Sequence, residues 1–108
     1  MPRYLDEAAA AADGITIEHE PEAQRFAVYQ AGESDRALVG EAHYSFPGDG
    51  VVDFDHTIVD DLFRGTGLSG LLAHRAVTSE VTDGREVKAS CWFIEGYLAK
   101  HPELLKTS

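Results

Sequence analysis

Seven consecutive residues, Arg64-Gly65-Thr66-Gly67-Leu68-Ser69-Gly70, form the pattern in this chain best suited to gripping an anion. Glycines this close together let the backbone take positive φ angles and bring N–H groups up to a ligand that a Cβ would hold off. Helical spacing begins at Leu68, so the unpaired amides and partial positive charge of a helix N-terminus follow directly. A diphosphate fits such a mouth. Spacing alone also fits a structural turn before a helix, but between Leu62 and Ser79 the chain has Arg64 and Arg75 and no acid, which favours phosphate. The lysine of a nucleoside-triphosphate loop is missing, with Thr66, Leu68 and Ser69 standing where Gly-Lys-Ser would be needed. The full dinucleotide fingerprint is missing too.

Other reactive groups are few. Cys91 is the single cysteine, which excludes an internal disulfide and a thiolate zinc cluster. A lone thiol in an apolar stretch reads either as buried packing or as a nucleophile. The five histidines, His19, His43, His56, His74 and His101, have no ligand-like spacing, so no metal site is expected. His56 and Glu41 fall where paired strands bring both to one face, a place for a general base. The formal charge is −10, with three bases against eleven acids in residues 1–54 and six against eight in residues 55–108. That field repels nucleic acid and favours amine-bearing or basic partners. No apolar run is long enough to span a membrane and no charged start leads into one, so no membrane partner and a cytoplasmic location are expected.

The elements that must position these groups follow from periodicity. A chain of 108 residues with 44% hydrophobic and 26% charged residues can bury one core and not two. Residues 1–14, with a run of five alanines, read as a flexible or frayed segment, either a short helix or a loose tail, ahead of a domain over residues 15–108. Alternation predicts strands over Ile15–Glu20 and Gln24–Gln30, then one carrying Leu38, Gly40, Ala42, Tyr44 and Phe46 on one face. A fourth, Val51–Val59, carries Val52, Phe54, His56 and Ile58 on one face. The period then becomes helical from about Gly67 to Val81, returns to alternation over Glu86–Phe93, and turns helical again at Ile94, Tyr97, Leu98 and His101. The order ββββαβα is an α/β (α+β) fold with a mixed, mostly antiparallel sheet. The helix between the fourth and fifth strands makes a crossover, so those two are expected as a parallel pair at the sheet centre.

The loop resembles the acetyl-CoA pyrophosphate loop of the GNAT N-acetyltransferase superfamily, whose pattern is Arg or Gln, two residues, Gly, one residue, then Gly or Ala. Arg64 and Gly67 match, while Ser69 stands where Gly or Ala is usual. His56-Thr57 ahead of it, Cys91-Trp92-Phe93, Tyr97 and His101-Pro102-Glu103 after it, and Gln24-Arg25-Phe26 are similar to a compact, single-domain group of GNAT-like proteins. The likeness runs from about Ile15 to Leu104. It implies a minimal GNAT fold in which the pantetheine arm lies in a split between the fourth and fifth strands. Thr57, Ile58 and Val59 are then backbone contacts, Arg64, Gly65, Thr66, Gly67, Leu68, Ser69 and Gly70 hold the diphosphate, and a backbone N–H polarises the acetyl carbonyl. The implied activity is acetyl transfer from acetyl-CoA to a small-molecule or peptide amine. Two routes stay open: direct attack, in which Tyr97 resembles the family's acid and His56 or Glu41 is the base, and a covalent route through Cys91. The alternatives are a non-catalytic module that binds or senses acyl-CoA and an acidic protein-interaction domain.

Overall fold

Alternating residues between Ile15 and Val59 fold into four antiparallel strands: β1 (Ile15–Glu20), β2 (Arg25–Ala31), β3 (Arg36–Ser45) and β4 (Val51–Val59). The structure, a computed structural model, describes residues 4–32, 34–63 and 65–104. A short helix, α1 (Glu7–Ala12), precedes the strands, and α2 (Leu68–Val77), β5 (Glu86–Ala89) and α3 (Trp92–Lys100) follow them. The sheet order is β1-β2-β3-β4-β5, with β5 parallel to β4. The crossover therefore produces the expected parallel pair, but the pair lies at one end of the sheet and not at its centre, because among the described residues no strand follows to cover β5.

Two bulges set which side chains face the core. Val28 pairs with Gly40 and Tyr29 with Leu38, which leaves Val39 as an extra residue in β3. Val39 turns inward at 9% exposure while Leu38 is 43% exposed. In β4 Phe54 pairs with Tyr44 and His56 with His43, so Asp55 is the extra residue. A residue added to one strand shifts the two-residue alternation by one from there on. Val52 and Phe54 are buried, but beyond the bulge Thr57 and Val59 take the core side, and His56 and Ile58, expected with Phe54, face away from it.

The helices cover the core face. Leu68, Leu72, Ala73 and Ala76 of α2 and Ile94 of α3 are fully buried against Phe26, Val28, Val52 and Phe54. Each large apolar side chain so buried contributes about 1.5–3 kcal/mol. The stretch after α2 is shorter in helix than expected: α2 stops at Val77 and a single 3₁₀ turn, Glu80–Thr82, follows. His19, stacked on Phe26 at 4.4 Å, holds that turn through Nδ1 to Glu80 (3.0 Å) and bonds Tyr44 through Nε2 (2.7 Å). On the opposite face Arg25 bridges Glu20 (2.6 Å) and Glu41 (3.1 Å), and His43 pairs with Glu41 (2.5 Å).

The fifth strand ends at Ala89 and not at Phe93. Ser90 turns the chain by donating from N and Oγ to the Asp53 carboxylate (2.8 and 2.6 Å), and Cys91 N–H donates to Phe54 O (3.0 Å). Cys91 then becomes the N-cap of α3, whose Ile94 and Leu98 form its buried stripe. Within residues 1–14, expected as a short frayed helix or a loose tail, Glu7–Ala12 forms the short helix α1: Asp6 caps it through Ala9 N (2.8 Å), and Ala10 is 1% exposed.

Candidate functional site

The two strands of the parallel pair separate where β5 ends. β4 pairs with β5 only from Val51 to Phe54, and beyond that point no strand flanks β4 on this side among the described residues. The gap is a cleft of about 210 Å³ lined by Thr57, Val59, Asp60, Asp61, Ser69, Trp92 and Phe93. It joins the far half of β4, the first turn of α2 and the first turn of α3. The Asp55 bulge is what aims Thr57 and Val59 into it.

The glycine loop lies at one mouth of this cleft. Gly65 and Gly67 have φ of +82° and +87°, values that disfavour any side chain, and an added Cβ at Gly65 or Gly70 would meet nothing within 4 Å. Thr66 is buried, at 1% exposure, and works as an internal staple: Oγ1 donates to Phe63 O (2.6 Å) and accepts from Leu68 N (3.2 Å). Among the described residues the amides of Gly67, Ser69 and Gly70 have no hydrogen-bond partner. Three amide donors thus lie within one turn at the positive end of α2, where an anion is favoured, and Ser69 also lines the cleft.

The expected site residues divide accordingly. Thr57, Val59 and Ser69 line the cleft, and Gly65, Thr66, Gly67, Leu68 and Gly70 build its mouth. Leu68 is fully buried, so its contribution is packing, with its N–H spent on Thr66. Ile58 faces the other side of the sheet at 54% exposure, and Arg64 lies outside the described residues. Cys91 is 8% exposed, with Sγ 3.5 Å from Thr57 Oγ1, one layer behind the lining. His56 stands across the sheet from the thiol, its ring 5.9 Å from His43. Tyr97 does not line the cleft; its ring packs on His101 at 4.5 Å, and burial, then Glu103, pushes its phenol above the usual range. The His43 hydrogen bond, then Arg25, holds Glu41 below the usual carboxylate range.

Asp60 and Asp61 are wall residues that sequence reasoning did not single out, and Trp92 and Phe93 join them from the first turn of α3. Trp92 is 82% exposed, off the Ile94–Leu98 stripe. Reading α3 two residues earlier would have shown that phase. Asp60 closes the turn out of β4: its N–H donates to Val39 O (2.8 Å) and its Oδ1 accepts from Leu62 N (3.0 Å).

Known proteins resemble this chain in sequence and in fold. Residues 25–107 match the family model described as GCN5-related N-acetyl-transferase. Over 88 residues, 82% of this chain, the sequence is 33% identical to protein NATD1 of Mus musculus, covering 77% of it, and 34% identical to protein NATD1 of Xenopus tropicalis, covering 78%. The NMR solution structure of a GCN5-like protein from Staphylococcus aureus superposes with a TM-score of 0.59 at 22% identity over 84% of each chain, a likeness of fold. A match over most of the chain, together with a sheet that splits beside a glycine-headed helix, places it: this chain belongs to the GCN5-related N-acetyltransferases.

Proposed function

We propose that this chain is an acetyl-CoA-dependent N-acyltransferase acting on an amine. The observation that carries the reading is the trio of amides at Gly67, Ser69 and Gly70, unpartnered among the described residues, beside a cleft whose far wall is the unflanked half of β4. Those donors suit the CoA diphosphate, and the edge of β4 at Thr57–Val59 suits the amide-bearing pantetheine arm. When bound, the thioester supplies the acetyl group, which passes to the amine nitrogen as sulfur departs.

In this reading the chain's own groups divide by face. Tyr97, one turn along α3 from the cleft-lining Phe93, is the candidate proton donor, a phenol that keeps its proton at neutral pH but packs on His101 and not on the cleft lining. His56, on the opposite face, is the group available to take the amine's proton, and Glu41 beside it, held below the usual carboxylate range by His43 and then Arg25, is the weaker base. Cys91 holds Thr57 in place from behind the lining, which favours direct transfer over an acyl-cysteine. Calorimetric titration with acetyl-CoA tests the site, with micromolar-range binding expected, and thiol release across a panel of amines tests catalysis.

One observation favours a second reading, a module that binds acyl-CoA without turning it over. Only the 3₁₀ turn Pro21–Ala23 and Gln24 connect β1 to β2, which leaves little structure there to shape an acceptor site. CoA binding with no thiol release for any amine selects that reading.

A further inference from the structure

We propose that the segment ahead of β1 braces the glycine loop, and that Tyr4 is a positioning residue for the anion cradle. The inference rests on the diphosphate reading above and extends it to residues outside the family match at 25–107. Tyr4 is only 6% exposed. Its N–H donates to Thr66 O (2.7 Å), its own carbonyl oxygen lies 3.1 Å from where a Cβ on Gly67 would stand, and its hydroxyl donates to Asp13 Oδ2 (2.9 Å). Behind it, Arg75 Nη1 of α2 donates to Glu7 Oε1 of α1 (2.7 Å), and Ala10 is buried in the core. The N-terminal segment is thus fastened to both the loop and the helix that the loop opens.

The Thr66 carbonyl explains what this achieves. In an α-helix each N–H donates to the carbonyl four residues earlier, so the acceptor that Gly70 N–H would take is Thr66 O. Tyr4 N–H holds that oxygen instead, and Gly70 N–H stays open. Releasing Tyr4 lets Gly67 leave its left-handed conformation (φ +87°) and Thr66 O turn toward Gly70, lengthening α2 by one residue and closing a donor of the cradle. A ligand that needs the open loop then binds with its affinity reduced by the fraction still open.

Amide hydrogen exchange and calorimetry on full-length Tyr4→Pro, which lacks the N–H, and Tyr4→Phe, which keeps it, test this. In Tyr4→Pro the Gly70 amide gains protection, a change opposite to that of general loosening. Its Kd for CoA rises about tenfold while that for pantetheine, which has no diphosphate, is unchanged. Tyr4→Phe stays close to wild type in both. If Tyr4→Pro does not fold, the pair Glu7→Lys and Asp13→Ala, which frees the segment from α2 and from the Tyr4 hydroxyl, is expected to raise Gly70 protection in the same way. Unchanged or lowered Gly70 protection in a folded variant overturns the brace. A wild-type chain that does not bind CoA overturns the diphosphate reading instead, and Gly70 exchange alone then decides the brace.

Discussion

Ser69 is the residue at which folding and binding can be separated. Its side chain lines the cleft and its amide is open, yet α2 has no acid in its first turn. A carboxylate there interacts favourably with the helix dipole, by about 0.3–1 kcal/mol, and unfavourably with any phosphate placed on the same amides. Ser69→Glu is therefore expected to hold or raise the melting temperature while weakening CoA binding more than tenfold by calorimetry. Equal affinity would remove the diphosphate from this loop. Cys91 allows a second test. With Cys91 8% exposed and its thiol turned to Thr57, incubation with acetyl-CoA should leave the intact mass unchanged, and Cys91→Ser should keep most CoA affinity. An added acetyl mass that disappears in Cys91→Ser would restore the covalent route.

The elements were legible to different depths. Glycines followed by helical spacing gave the loop and the start of α2, and a helix between two strands gave the parallel pairing, because both rest on local chemistry or chain handedness. The phase of β4 beyond Phe54 was not legible, since alternation shows which residues share a face only until one is skipped, and nothing in Asp55 itself announces the skip. The end of β5 was hidden for a related reason: Val87 to Phe93 alternates, but only Glu86–Ala89 has a strand to pair with, and Asp53 turns the chain at Ser90. The loop's rigidity belongs to Thr66, which the sequence presented only as one member of a pattern. Thr66→Val removes both bonds of a buried hydroxyl and strands the Leu68 N–H, an expected loss of about 1–3 kcal/mol in urea unfolding. Thr66→Ser should recover most of it. A loss equal in both variants would point to the methyl group instead.

At the scale of the whole molecule, charge governs both stability and approach. Glu20, through the Tyr29 hydroxyl and then Arg25, and Glu41, through His43 and then Arg25, are both held below the ordinary value of 4.5. Groups depressed by folding add stability that is complete above their unfolded values and vanishes as pH falls through their folded ones. Unfolding free energy should thus decline below about pH 4.5, with a shallower acid limb in Glu41→Gln. The larger question is how a chain of net charge −10 admits a polyphosphate at all. At 10 mM ionic strength the Debye length is about 30 Å, comparable with the 43 × 29 × 21 Å extents of the molecule, so an approaching anion meets the entire negative field. At 150 mM it is about 8 Å, and only the charges around the cleft still count. The amides of the cradle act at contact distance and are screened little. Association with CoA should therefore speed up several-fold between these salt concentrations while dissociation changes little, the reverse of an arginine-steered site. Trp92, the single tryptophan and part of the cleft wall, supplies the stopped-flow signal. Slower association at higher salt would mean that a local cationic cluster, and not the backbone of α2, draws the ligand in.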